Sequence, residues 1–272
     1  MRFWTVLAAA ALVAGVGCGG DDGHAAESAA FATVAVNVLD SMDEESAVMA
    51  TLVDDVNVQG TPAEAASFAA ARALTAWKPA GCATATADAN DPARVVFVFA
   101  GCAGPFALKD VSGTLDVSYG RGGDGGISIS VISEDLAVAG RSYHGMTVEG
   151  SYLPSGSQRR LSAHSTAATH GPGVDDQFDR GGNYVTGWDE GAACRSLEGV
   201  WDSMVGGEPS WKSAAMGFVR CAGGCPQGGA NLTFMEATPG TGMLTLSFGG
   251  GAKADWIDAE GSSGTVPLPC GN

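Results

Sequence analysis

The sequence predicts a mainly β protein with two N-terminal helices. The expected architecture is an antiparallel β meander, whether one large sheet, a sandwich or an open barrel, with the helices packed on it and disulfides stapling it. Three observations carry this. From about residue 80 onward, apolar residues recur with period two. Gly-rich clusters punctuate those runs at short intervals. Before residue 80 the apolar spacing is helical instead.

The helical part begins at Ser28. Phe31, Val34, Ala35, Val38, Leu39 and Met42 fall at i, i+3, i+4, i+7, i+8 and i+11, which makes one apolar stripe. Asp40, Asp43, Glu44 and Glu45 lie mostly off that stripe. Met49 to Val58 reads as a continuation of the helix or as a strand. Thr61-Pro62-Ala63-Glu64 is a helix start, in which Thr61 caps, Pro62 suits the first turn and Glu64 bonds back to the Thr61 amide. The Ala-rich run that follows is stopped by Pro79.

The strands come next. Leu115, Val117 and Tyr119 alternate with Thr114, Asp116 and Ser118. Ile127, Ile129 and Val131 alternate with Ser128 and Ser130. Met146, Val148 and Tyr152 stand opposite Thr147, Glu149 and Ser151, and Leu244, Leu246 and Phe248 opposite Thr245 and Ser247. Each set is apolar on one face and polar on the other. Val95 to Phe99 is apolar throughout and predicts a strand covered on both sides. Gly120–Gly126, Pro154–Gly156, Pro239–Gly242, Gly249–Gly251 and Gly261–Gly264 mark turns. About ten to twelve strands are expected at this spacing. Residues 28–79 form the helical segment and 80–272 the β domain, with 170–182 as the best candidate break.

Composition removes several function classes. With 45% hydrophobic and 16% charged residues, the chain is too apolar for a disordered polymer. A formal charge of −16, with 14 Lys+Arg, argues against nucleic acid, whose phosphates need clustered cations. The 41 glycines have no three-residue period, which excludes collagen.

The first eighteen residues have the anatomy of an export signal: Arg2, an apolar run from Val6 to Val16, then Gly17-Cys18. The run is shorter than the roughly 20 residues a membrane-spanning helix needs. The segment resembles a bacterial lipoprotein signal, in which a small residue precedes the Cys that is lipidated. Gly17-Cys18 matches, while Gly15 stands where that pattern prefers Leu. The resemblance implies cleavage after residue 17, acylation of Cys18, a tether over residues 18–27 and a membrane partner through the lipid. Gly19 in place of Asp implies the outer membrane. Removal of residues 1–17 takes Arg2 from a charge of −16 and leaves −17.

Seven cysteines are odd in an exported chain, and lipidation of Cys18 leaves six for three disulfides. Cys82 and Cys102 adjoin strand-like runs and are expected to pair. For Cys194, Cys221, Cys225 and Cys270, one option joins Cys221 to Cys225 and Cys194 to Cys270, with crossed pairing beside it. Cys221 and Cys225 form one metal-like hook without a second, so the disulfide reading is preferred to zinc.

The candidates for chemistry are sparse. His164 and His170 precede Asp175, Asp176 and Asp179, a weak cation or acid/base constellation that lacks the alternating ligands of a calcium loop. Ser142 and His144 share one strand face with no orienting third group. Trp188, Trp201, Trp211 and Trp256 are candidates for a glycan-stacking surface. No G-x-S-x-G elbow, phosphate loop or dinucleotide fingerprint occurs. No catalytic residue, cofactor or committed metal site is assigned. The chain as a whole resembles lipoproteins of Gram-negative, high-GC bacteria such as myxobacteria, through the Ala, Gly and Arg-over-Lys bias and the Gly81-Cys82 and Gly101-Cys102 pairs. That group implies export and disulfides but no activity. The expected role is a non-catalytic structural or binding module of the cell envelope, with an envelope protein or glycan as partner. The alternatives are an envelope hydrolase acting on glycan or peptide, and a calcium-dependent adhesion module.

Overall fold

The computed structural model describes residues 22–171, 177–205, 208–234, 242–268 and 270. The signal segment, Cys18, Asp175 and Asp176 lie outside the described residues.

Among the described residues, two α-helices, α1 (Asp22–Val53) and α2 (Pro62–Ala76), precede fourteen strands. These are β1 (Ala83–Ala87), β2 (Arg94–Cys102), β3 (Val111–Arg121), β4 (Ile127–Ser133), β5 (Leu136–Val138), β6 (Arg141–Ser155) and β7 (Gln158–His170). They continue with β8 (Phe178–Asp189), β9 (Cys194–Val205), β10 (Glu208–Cys221), β11 (Gln227–Phe234), β12 (Met243–Gly249), β13 (Lys253–Asp258) and β14 (Ser263–Pro267). All fourteen belong to one sheet in sequence order, with β5 set aside as a short strand bridging β3 and β6. The pairings from β1 to β14 are antiparallel. The predicted meander is therefore present. The strands beyond the expected count are short: β5 has three residues, and the five-residue β1 (ATATA) and β14 (SGTVP) carry few large apolar side chains to mark an alternation.

The candidate break at residues 170–182 falls between two strands of the same sheet. β7 and β8 pair from Gln158 opposite Asp189 to Thr169 opposite Phe178. The turn at Gly122–Gly126 is a hairpin, in which the Gly122 amide donates to the Gly126 carbonyl at 3.0 Å and the Gly126 amide to Asp124 Oδ1 at 3.0 Å. Gly182 faces inward where Trp201 crosses it: a Cβ there would lie 2.4 Å from the Trp201 Cα. The small residue leaves room for the Trp201 Cα and Cβ and the Val200 carbonyl oxygen of the neighbouring strand.

α2 forms as its cap dictates. The Glu64 amide donates to Thr61 Oγ1 at 3.2 Å, and the Thr61 amide donates to Glu64 Oε2 at 2.6 Å. Ala65, Ala66, Ala69 and Ala73 form its buried side. Holding those bonds lowers the Glu64 carboxyl below its usual range. α1 differs from expectation in two ways. It starts at Asp22, inside the stretch expected to be tether. It also continues through Met49 to Val53, which decides that stretch as helix.

More important is where α1 sits. From Val38 to Asp54 no residue is exposed, on any side of the helix. A helix buried all round needs a surround rather than a floor. The sheet supplies it by curling. Side chains of β3, β6, β8, β9, β10 and β13 all reach this helix or the turn after it. At 1.5 Å per residue a helix of this length is roughly 48 Å long, and strands of 12 to 15 residues are long enough to sheathe much of it at about 3.3 Å per residue. Val38, Leu39, Met42, Val48, Met49, Leu52 and Val53 are at most 3% exposed. Each contributes roughly 1.5–3 kcal/mol by burial.

The two sheet faces divide the composition between them. Inward positions carry the apolar core. Outward positions carry Ser112, Thr114, Asp116 and Ser118 on β3, Ser128 and Ser130 on β4, and Ser162, His164 and Thr166 on β7. A membrane-spanning barrel requires the opposite arrangement, apolar outward and polar inward. Among the described residues no helix is long and apolar enough to cross a membrane. Val95, Phe97 and Phe99 point inward, but Val98 is 43% exposed, so β2 is covered on one face and not on both.

Three disulfides brace the sheet. Cys82–Cys102 forms as expected across the β1–β2 hairpin. The option Cys221–Cys225 with Cys194–Cys270 is not the pairing found. Cys194 and Cys221 face each other in register at the ends of β9 and β10 and are joined. Cys225 is joined to Cys270, which ties the turn after β10 to the segment beyond β14. In the loop-entropy account, closing 20, 27 and 45 residues contributes about 3 to 4 kcal/mol each.

Candidate functional site

The four acids expected off the apolar stripe are instead the centre of the molecule. Asp40 is 3%, Asp43 2% and Glu45 0% exposed, and the Glu44 side chain is 15% exposed. Successive helical residues point about 100° apart, so Asp43, Glu44 and Glu45 fan around the axis and meet different strands. Arg180 on β8 pairs with Glu45 at 2.5 Å, both side chains fully buried. Arg195 on β9 pairs with Asp43 and also donates to the Asp43 carbonyl at 2.8 Å. Arg141 on β6 pairs with Glu44 at 3.1 Å. Arg220 on β10 pairs with Asp40, and with Asp43 at 3.1 Å. Four arginines from four strands thus hold one turn and a half of helix.

Neutral groups complete this collar. The Tyr143 hydroxyl lies 2.9 Å from Glu44 Oε2 and 3.1 Å from the Ser41 carbonyl oxygen. The Arg180 guanidinium lies over the Tyr143 ring, 5.6 Å from its centroid. Higher on the helix, the Tyr119 hydroxyl donates to the Leu52 carbonyl at 3.0 Å, and Trp188 Nε1 donates to Asp54 at 2.8 Å. Arg72 of α2 pairs with the same Asp54. Burial pushes the Glu44 carboxyl up to about 7 against the opposing pull of Arg141. Burial likewise raises Asp40 despite Arg220 beside it. The collar is largely shielded from solvent and pairs four arginines with four carboxylates, so it binds the helix to the sheet.

The polar candidates among the described residues lie on the outer face. Of the Asp175, Asp176 and Asp179 candidates, only Asp179 is among the described residues; it sits in β8 beside Gln177, with the buried Arg180 next in sequence. Among the described residues no group of three His, Cys, Asp or Glu could hold a metal ion. Ser142 and His144 do share the outward face of β6. His144 Nδ1 lies 3.2 Å from the Glu134 carbonyl oxygen, however, and no hydrogen bond links the two side chains. His170 is exposed at the end of β7. Trp188, Trp201, Trp211 and Trp256 are 5%, 1%, 5% and 4% exposed. All four face the core, so these candidates for a glycan-stacking surface are packing residues instead: in each strand the indole falls on the apolar alternation.

One open trough of about 810 Å³ crosses the outer face of β6 to β9. Two register rows line it. In one, Glu149, His164, Asn183 and Val200 are successive partners; in the other, Ser151, Ser162, Val185 and Glu198 are. Its floor is backbone at Gly150, Ala163, Tyr184 and Gly199. Glu149 accepts from Ser130 at 2.6 Å, and His164 Nδ1 lies 3.2 Å from Asn183 Oδ1. Of these, His164 alone was a candidate from sequence. The others become visible as a group only through the strand register. No protein family model, curated protein or solved structure matches the chain.

Proposed function

We propose that this chain is an exported, lipid-anchored protein of the bacterial cell envelope whose β domain is a non-catalytic binding or structural module. The observation that carries this is the assignment of the buried charges. Four arginine–carboxylate contacts that could have formed a catalytic cleft are spent locking α1 inside the sheet. The three disulfides suit an oxidising compartment outside the cytoplasm. Cys18 stands four residues ahead of Asp22, where α1 starts. A lipid on that cysteine therefore anchors the element that the sheet grips most firmly, so load from the membrane reaches the core directly. The expected location is the outer membrane.

Metabolic labelling with a fatty acid tests the anchor. The full chain takes up label and partitions with membranes, and Cys18→Ala does neither. Membrane association of Cys18→Ala equal to that of the parent overturns the anchor. A melt of the acylated chain against divalent cations and envelope glycans tests the module. A ligand at about 100 times its dissociation constant adds roughly 2.7 kcal/mol.

A further inference from the structure

The outer trough has a charge and shape that the helix-locking collar does not explain. Its two carboxylates stand at opposite corners: Glu149 on β6 in one register row, Glu198 on β9 in the next. Three strand spacings and one two-residue step separate them by about 16 Å. Between the corners lie the hydroxyls of Ser151 and Ser162, the Asn183 amide and His164. On the β8–β9 side, Val185 and the 46%-exposed Val200 add apolar surface. Met216 on β10, 55% exposed, continues it, two residues from Ala214, the register partner of Val200. The nearest outward arginine on β7 is Arg160, one row beyond the rim at Ser162.

We propose that this trough binds a cationic, partly apolar peptide segment of a partner protein, with basic side chains at its two carboxylate corners and an apolar side chain on Val185, Val200 and Met216. The proposal rests on reading the β domain as a binding module and names the class of its ligand. An extended chain covers the distance between the corners in about five residues. The floor backbone is already paired in the sheet ladder, so the hydrogen bonds open to such a chain come from side chains, the hydroxyls of Ser151 and Ser162 and the amide of Asn183. The formal charge of −16 favours approach of a cation from any direction. The trough adds what diffuse charge lacks: two fixed contact points with an apolar surface between them.

The test uses the full chain in detergent and three probes followed by calorimetry. One is a peptide of about seven residues with lysine at both ends and valine and leucine between. The second carries glutamate in place of lysine, and the third is a linear polyamine. The lysine peptide is expected to bind, at least tenfold more tightly than either other probe. Glu149→Gln with Glu198→Gln is expected to weaken it at least tenfold, and Val200→Ser a few-fold. All three positions are outward, so the melting midpoints should match the parent. No binding of the lysine peptide overturns the proposal. So does binding that survives the double variant, which would make the attraction diffuse, or polyamine binding equal to the peptide's, which would leave the apolar surface without a role. A glycan or metal that shifts the melt while the lysine peptide stays silent retains the binding module and removes this ligand class.

Discussion

The same chemical pair, arginine with carboxylate, appears on both faces of the sheet with opposite consequences. Inside, Arg180 and Glu45 are both fully shielded from water. Outside, Arg94 and Asp116 are joined in register-adjacent strands with side chains 43% and 30% exposed. The outer pair lowers the Asp116 carboxyl through its hydrogen bond to Arg94, but water and salt screen it. The inner pair is desolvated, so its cost and its attraction are both large and nearly offset each other. A buried pair therefore contributes little as a unit and a great deal as a constraint: either partner alone cannot stay.

That contrast sets the order of effects. Arg180→Ala removes the ion-pair partner of the buried Glu45, and should cost about 3–5 kcal/mol in urea unfolding. Arg180→Met with Glu45→Leu should recover most of that loss. A double variant as weak as the single one would show that the pair's stabilisation is specific rather than compensatory. Removing Cys225–Cys270 with Ser at both positions should cost about 4 kcal/mol in the loop-entropy account. Its measured counterpart is the fall in melting midpoint on reduction, which the variant should abolish in part.

The pH response separates inside from outside more finely. Glu44 has its folded pKa near 7, above an ordinary 4.5, because burial disfavours the anion. A group raised on folding contributes its full share below the unfolded value and loses it as pH rises through the folded one. Stability should thus fall between pH 4.5 and 7, by on the order of 2–3 kcal/mol from this group. Glu44→Gln should flatten that slope. An unchanged slope would assign it to the overall negative charge instead. Asp116, lowered on folding, acts in the opposite sense and only below the ordinary carboxylate range. The smallest expected effect is Arg94→Ala, whose melting midpoint should match the parent's within error. A clear drop would show that the outer face is less screened than its exposure indicates.

Local chemistry made much of this molecule legible. The Thr61–Glu64 cap needs four neighbouring residues, and the alternations at Leu115–Tyr119 and Leu244–Phe248 need five each. Cys82 and Cys102 are twenty residues apart on adjacent strands. Such features depend on period and proximity, which a sequence displays directly. The helix surround did not show. Asp43 and Glu45 look like solvent-facing acids because their partners, Arg195 and Arg180, lie 152 and 135 residues away. The four tryptophans could have stacked on a ligand until the register placed them inward. The trough is a product of register as well, since Glu149, His164, Asn183 and Val200 share no spacing along the chain.

By itself, then, the sequence determined the secondary structure, the meander and the need to staple it, because each follows from interactions within a few residues or from counting cysteines. Tertiary structure alone decided which acids are buried, which cysteines pair in the last half and where the outer face offers a ligand two carboxylates. Those depend on how far a long sheet curls, and the sheet curls until its inner face has enclosed a helix that carries both apolar side chains and charge.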